Sequence, residues 1–175
     1  IMEHIVTLLK KHGFEEMLSI LYYQPEIIEN YFGDGSDFGV RMGYIRAEED
    51  LGTAGSVRNA HIHLTDFFDE TFIIISGDLL TDFDLTGIVQ FHKDKGAKVT
   101  LALTRVDDPR PYGVVITDEE GRITRFLEKP TWGEVFSDTI NTGIYVLEPE
   151  VMEYIPPETE FDFSNDLFPL LMERG

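Results

Sequence analysis

Short apolar runs and helix-period segments take turns along this chain, and that alternation leaves few folds open to it. Met17–Tyr23 (MLSILYY), Phe72–Ile75 (FIII), Val99–Val106 (VTLALTRV) and Ile140–Leu147 (INTGIYVL) have the length and the branched or aromatic content of strands. Val40, Met42 and Tyr44 alternate as another would. Helical spacings lie between them. Ile5, Leu8 and Leu9 stop at Gly13, and Ile27, Ile28, Tyr31 and Phe32 follow Pro25, a residue suited to a first helical position. Val57, Ala60, His61 and Leu64 repeat within 54–64, and a further helix over 84–95 stops at Gly96. Strands alternating with helices predict an α/β fold, with a mostly parallel sheet covered by helices on both faces. Beyond Val106 the rhythm changes: Val114–Thr117 and Arg122–Phe126 flank DEEG and predict an inserted β-hairpin lobe. Short helices are expected near 150–155 and from Ser164 onward.

The stretch FIIISGDLLTD (Phe72–Asp82) carries the first candidate chemistry. Its apolar run reads as a strand buried on both faces. Open sheets bind ligands beyond the carboxyl ends of their strands, where Asp78 sits, and Gly77 allows close backbone approach. A carboxylate so placed suits Mg²⁺, which takes one or two protein carboxylates together with substrate phosphates. Asp82 and Asp84 read instead as solvated loop acids or helix caps.

Composition narrows the partners. With 14 basic and 33 acidic residues, the net charge of −19 argues against nucleic acid and against an anionic membrane surface. Small anionic substrates stay open, because a divalent cation and a few lysines reverse the field within one cleft. The chain has no cysteine, which removes disulfides and thiol chemistry and suits the cytoplasm. No segment reaches transmembrane length. Its 175 residues suit one domain, and an opening that falls at once into a helical pattern suggests a piece of a longer protein.

Three further motifs are weak singly. In EEDLGTAGSVR, Gly52 and Gly55 frame a small-residue turn before a helix, where backbone groups can meet a flat ligand or an anion, or simply turn tightly. In FLEKP, Glu128 can accept from sugar hydroxyls and Lys129 can pair with a phosphate, the two pointing to opposite faces of an extended segment; an ordinary surface pair is the alternative. In NTGIY, Asn141 either hydrogen-bonds a sugar or caps a turn. GDGSDFG (Gly33–Gly39) is not a dinucleotide fingerprint, since it follows a helix and precedes a strand. His61 and His63 face different ways on a helix and read as structural.

The order of these motifs is more specific. LGTAG, then GD at a strand end, then YGVV (Tyr112–Val115), EKP and NTGIY resembles the sugar-1-phosphate nucleotidylyltransferase family over essentially all 175 residues. The opening IMEHI, YFGDGSDFGV and FDFSNDLFPLL (Phe161–Leu171) resemble its mannose-1-phosphate guanylyltransferase branch. The resemblance implies a Rossmann-like fold of the nucleotide-diphospho-sugar transferase type. It implies transfer of a nucleotidyl group from a nucleoside triphosphate, GTP favoured, to a sugar 1-phosphate, with pyrophosphate released. On it, Asp78 and Lys129 are the catalytic residues: Asp78 holds Mg²⁺ and Lys129 meets the sugar phosphate. Gly52 and Thr53 lie against the base, while Gly113, Glu128 and Asn141 contact the sugar. The family's glycine-rich loop and first strand are absent before Ile1, and its second metal-binding aspartate, in a tryptophan-containing motif, is absent after Gly175. Residues 1–175 are therefore expected to be a partial nucleotidyltransferase domain, inactive alone, within an active parent. Glucose-1-phosphate uridylyl-, thymidylyl- or adenylyltransferase activity is the alternative, then a non-catalytic regulatory relative, then a glycosyltransferase. Exposed Tyr22 and Tyr31 are candidates for a homo-oligomer contact.

Overall fold

The computed structural model describes residues 1–174. In chain order the elements are α1 (Met2–Lys11), β1 (Glu16–Leu21), α2 (Pro25–Phe32), β2 (Arg41–Arg46), α3 (Gly52–His63) and β3 (Phe72–Ile75). There follow α4 (Leu85–Lys95), β4 (Val99–Arg105), β5 (Gly113–Thr117), β6 (Ile123–Glu128), β7 (Thr139–Leu147) and α5 (Phe168–Arg174). Pro149–Tyr154 is a 3₁₀ turn, and a π-helical turn, Phe163–Leu167, leads into α5. Every predicted element forms, with ends within a few residues. Pro25 opens α2, Gly96 closes α4 in the left-handed conformation, and the Asp84 carboxylate caps α4 by accepting from Gly87 N–H at 3.1 Å.

The fold is α/β with helices on both faces, as expected. Alternation along β7 shows the two layers: Ile144 packs with α1 and Leu85 of α4 on one face, and Tyr145 and Leu147 pack with α3 and the C-terminal segment on the other. Among the described residues the parallel pairing is confined to β1–β2, which run in register from Glu16↔Arg41 to Leu21↔Arg46. In the second sheet β7 runs antiparallel to β3 and β4, so those two share a direction with β7 reversed between them. The predicted hairpin forms as β5–β6 and joins this sheet through Val114↔Ile140, extending it.

Phe72–Ile75 differ from the expectation of a strand buried on both faces: all four side chains are partly exposed. The reason is topological. β3 pairs only with β7 and β1 only with β2, so each keeps an edge without a strand partner among the described residues. Ile73 and Ile75 of β3 and Leu18 and Ile20 of β1 line one cavity of about 1070 Å³, which Ser76, Gly77 and Thr53 also line.

Behind the second sheet a buried polar relay ties helix to strands. The His92 ring contacts the Thr100 hydroxyl at 2.8 Å and the Glu148 carboxylate at 3.0 Å, and Glu148 also accepts from the Thr71 hydroxyl at 2.7 Å. The Thr71 hydrogen bond, with help from His92, holds the Glu148 carboxyl below the usual carboxylate range. Among the described residues no helix is long and apolar enough to cross a membrane. Replacing the α4 cap, Asp84→Ala, is expected to lower stability by about 1 kcal/mol in urea unfolding, with Asp84→Asn losing much less.

Candidate nucleotide and sugar-phosphate site

Asp78 lies just past β3, in a turn held by Leu79 N–H donating to Ser76 O at 3.2 Å. Ser76 N–H donates to Gly143 O at 3.2 Å, which places this turn against the NTG stretch of β7. The Asp78 carboxylate is exposed and makes no hydrogen bond or ion pair among the described residues. Space is open around Gly77. No group of three or more His, Cys, Asp or Glu with metal-binding placement occurs among the described residues. A free single carboxylate at a strand end is nonetheless what Mg²⁺ needs from protein when substrate phosphates complete its shell, so the donor set fits.

The LGTAG turn is built by close packing. Gly52 has φ +70, and a Cβ there would stand 2.7 Å from Phe161 O; at Gly55 it would stand 2.5 Å from Thr159 O. Glycine at both places lets residues 159–161 lie directly on the start of α3. Phe161 O then accepts from Ala54 and Gly55 N–H, both at 2.9 Å, and Asp50 accepts from Gly52 N–H at 3.1 Å. The Gly52, Ala54 and Gly55 N–H groups are thereby satisfied within the protein. Thr53 donates its hydroxyl to Asp162 at 2.6 Å and accepts from Phe163 N–H at 3.0 Å.

The pairing of β5 with β6 and with β7 brings Gly113 and Glu128 near Asn141. Gly113 and Glu128 are paired across the hairpin, and a Cβ on Gly113 would sit 2.6 Å from the Glu128 carboxylate, so glycine makes room for that acid. Asn141 donates to the Tyr145 hydroxyl at 2.9 Å and to the Ser164 hydroxyl at 3.2 Å, while its carbonyl accepts from Gly143 N–H at 3.1 Å. Its amide hydrogens are thus engaged, leaving one lone pair on the carbonyl for a ligand. Burial pushes the Glu128 carboxyl above the usual range; Lys129 and the Ser164 hydroxyl pull it down, and Asp162 pushes it further up. Burial likewise raises the Tyr145 phenol.

Lys129 departs from the extended geometry expected of FLEKP. It has φ +44, which swings its exposed side chain out of the β6 line, and its N–H donates to Tyr112 O at 3.1 Å. A non-glycine residue held left-handed costs about 1 kcal/mol, a strain that collects at ligand sites. The two histidines have local partners: His61 contacts Arg58 at 3.1 Å, and His63 bonds Asn59 O at 2.8 Å.

Tyr145, Asp162 and Ser164 were not singled out from sequence as site residues. The available signal was Asp162 as an N-cap: it accepts from Ser164 and Asn165 N–H at 2.9 and 3.0 Å.

The nucleotidyl transferase family description matches residues 1–175. A UTP–glucose-1-phosphate uridylyltransferase from Synechocystis is 41% identical over 100% of this chain and 48% of its own length. A mannose-1-phosphate guanylyltransferase from Mycobacterium tuberculosis is 37% identical over 98% of this chain and 46% of its own. The chain thus spans about half the length of the curated relatives it matches. Among solved structures, one from Bacillus anthracis in complex with a sucrose has a TM-score of 0.85 at 24% identity, covering 99% of this chain and 70% of that one. HddC from Yersinia pseudotuberculosis complexed with GMP-PN has a TM-score of 0.78 at 22% identity, covering 96% and 71%. These likenesses show the same fold.

Two expectations follow from this geometry. Gly55→Ala should lower stability by about 1–3 kcal/mol in chemical unfolding, because the added methyl meets backbone, not a movable side chain. Glu128 ionises less readily in the fold than in the open chain. Its contribution to stability is therefore present at acidic pH and lost as pH rises through its raised pKa. Glu128→Gln should make the ligand-free protein more stable than wild type at pH 7, with the gap closing below pH ~4; thermal unfolding across pH measures this.

Proposed function

The chain belongs to the nucleotidyl transferase family, and we propose that its parent protein is a sugar-1-phosphate nucleotidylyltransferase. The observation that carries the reading is the convergence of Gly113, Glu128 and Asn141, from three strands, beside the turn that bears Asp78. In the proposed reaction a phosphate oxygen of the sugar 1-phosphate attacks the α-phosphorus of a nucleoside triphosphate. The bond to the bridging oxygen breaks, and pyrophosphate leaves. Such a transfer asks for positioning and charge neutralisation, not a covalent nucleophile. Glu128 and the Asn141 carbonyl accept from sugar hydroxyls, Lys129 neutralises the sugar phosphate, and Gly52 and Thr53 border the base. Asp78 would hold Mg²⁺, which when bound offsets the negative charge of the triphosphate.

Mannose 1-phosphate with GTP is the favoured pair, supported by the FDFSNDLFPLL and YFGDGSDFGV stretches and by the guanylyltransferase relative. Glucose 1-phosphate with UTP is the second reading, favoured by the uridylyltransferase relative at 41% identity. Residues 1–175 form part of the catalytic domain. The edges of β1 and β3 that lack a strand partner among the described residues support this, since such edges offer backbone groups to a further strand. The chain alone is then inactive. A cytoplasmic setting accords with the lack of cysteine.

The test is pyrophosphate release by the full-length parent with Mg²⁺, each of the common triphosphates and several sugar 1-phosphates. Asp78→Ala is expected to cut kcat/KM by about 10²–10³-fold. No release with any pair, or a wild-type rate from Asp78→Ala, overturns the reading.

A further inference from the structure

Two segments far apart in the chain meet on one carboxylate. Asp162 accepts from the Thr53 hydroxyl through one oxygen at 2.6 Å. Through the other it accepts from Ser164 N–H at 2.9 Å and Asn165 N–H at 3.0 Å. Phe163 N–H closes the ring by donating back to the Thr53 hydroxyl at 3.0 Å. The hydroxyl of Ser164, whose backbone N–H is held by Asp162, accepts from Asn141 at 3.2 Å, and Asn141 in turn donates to the Tyr145 hydroxyl. One end of this path is the first turn of α3, beside the proposed base site; the other is the half-buried cluster that faces the sugar.

We infer that Asp162 is a positioning residue that sets the nucleotide-facing turn and the sugar-facing cluster relative to each other. The inference rests on the proposed reaction, but its bonds do not. Glycine at positions 52 and 55 serves the same end, since it admits residues 159–161 onto α3 and brings Asp162 within reach of Thr53. Loss of the Thr53–Asp162 bond lets the Ser164 turn relax away from Asn141. A change at Thr53, on the base side, is therefore felt by the sugar phosphate.

The experiment uses the full-length parent carrying Thr53→Val, Thr53→Ser, Asp162→Ala, or Thr53→Val with Asp162→Ala. Thr53→Val is expected to raise the KM for sugar 1-phosphate about 5–10-fold, the loss of one charge-assisted hydrogen bond, by a larger factor than kcat falls. Thr53→Ser should restore it, and the double variant should be no worse than Asp162→Ala alone. A sugar-phosphate KM within twofold of wild type in Thr53→Val, or additive losses in the double variant, overturns the inference. Amide hydrogen exchange of 161–165 and 139–145 gives a readout free of activity. Faster exchange of both segments in Thr53→Val supports the tie, and unchanged exchange sinks it. If the wild-type parent releases no pyrophosphate, the functional reading fails while exchange still judges the tie.

Discussion

β7 is the strand on which the rest of this architecture depends. It is bonded to β4 along its length, to β3 over its second half and to β5 at Ile140, so it joins in one sheet the strands that lead to Asp78, Gly113 and Glu128. Its reversed direction matters. With β3 and β4 running the other way, the beginning of β7, at Asn141, lies where β3 ends, at Ser76 and the Asp78 turn. Gly143, at φ +79, is the point where the strand bends, and a Cβ there would press on the Ser76 hydroxyl at 3.0 Å. The residues of NTG thus shape the ground between the candidate metal ligand and the candidate sugar cluster.

Charge in this site is arranged by burial more than by pairing. Glu128 is half-buried near Asp162, and its carboxyl is raised chiefly because water is excluded from it. Lys129 stands beside it in sequence but projects to solvent from a left-handed backbone. A phosphate arriving next to Lys129 would find a cation not already committed to a carboxylate, since no salt bridge engages this lysine among the described residues. The acidic surface elsewhere does not bear on that pocket directly, because exposed charges are screened within about 10 Å in ordinary salt.

Much of the fold was legible because its elements are local. Ile5, Leu8 and Leu9 mark a helix through spacing alone, and Pro25, Gly96 and Asp84 act within their own turns. Glycines were harder to read. LGTAG read as a ligand-facing turn or a plain tight turn, and no local pattern told that Gly52 and Gly55 also pack on the backbone of Thr159 and Phe161, about a hundred residues away in sequence. Gly113 has an equally specific reason, the carboxylate of Glu128 across the hairpin. Asp162 and Ser164 lie in the FDFSNDLFPLL stretch but drew no role of their own, because an aspartate two residues before Ser164 reads as a cap whatever else it touches.

The sequence by itself determined the class of fold, the placing of helices and strands, the exclusion of thiol chemistry and the ordered set of motifs that marks the family. Each of these follows from patterns a few residues long. Only the tertiary structure decided that, among the described residues, parallel pairing stops at β1–β2 and β3 keeps an edge without a strand partner along a cavity, and that Thr53 and Asp162 meet. Those are contacts between segments with no pattern in common. Their partners are chosen by where the chain packs, through hydrogen bonds that gain strength away from water, and no local spacing records that choice.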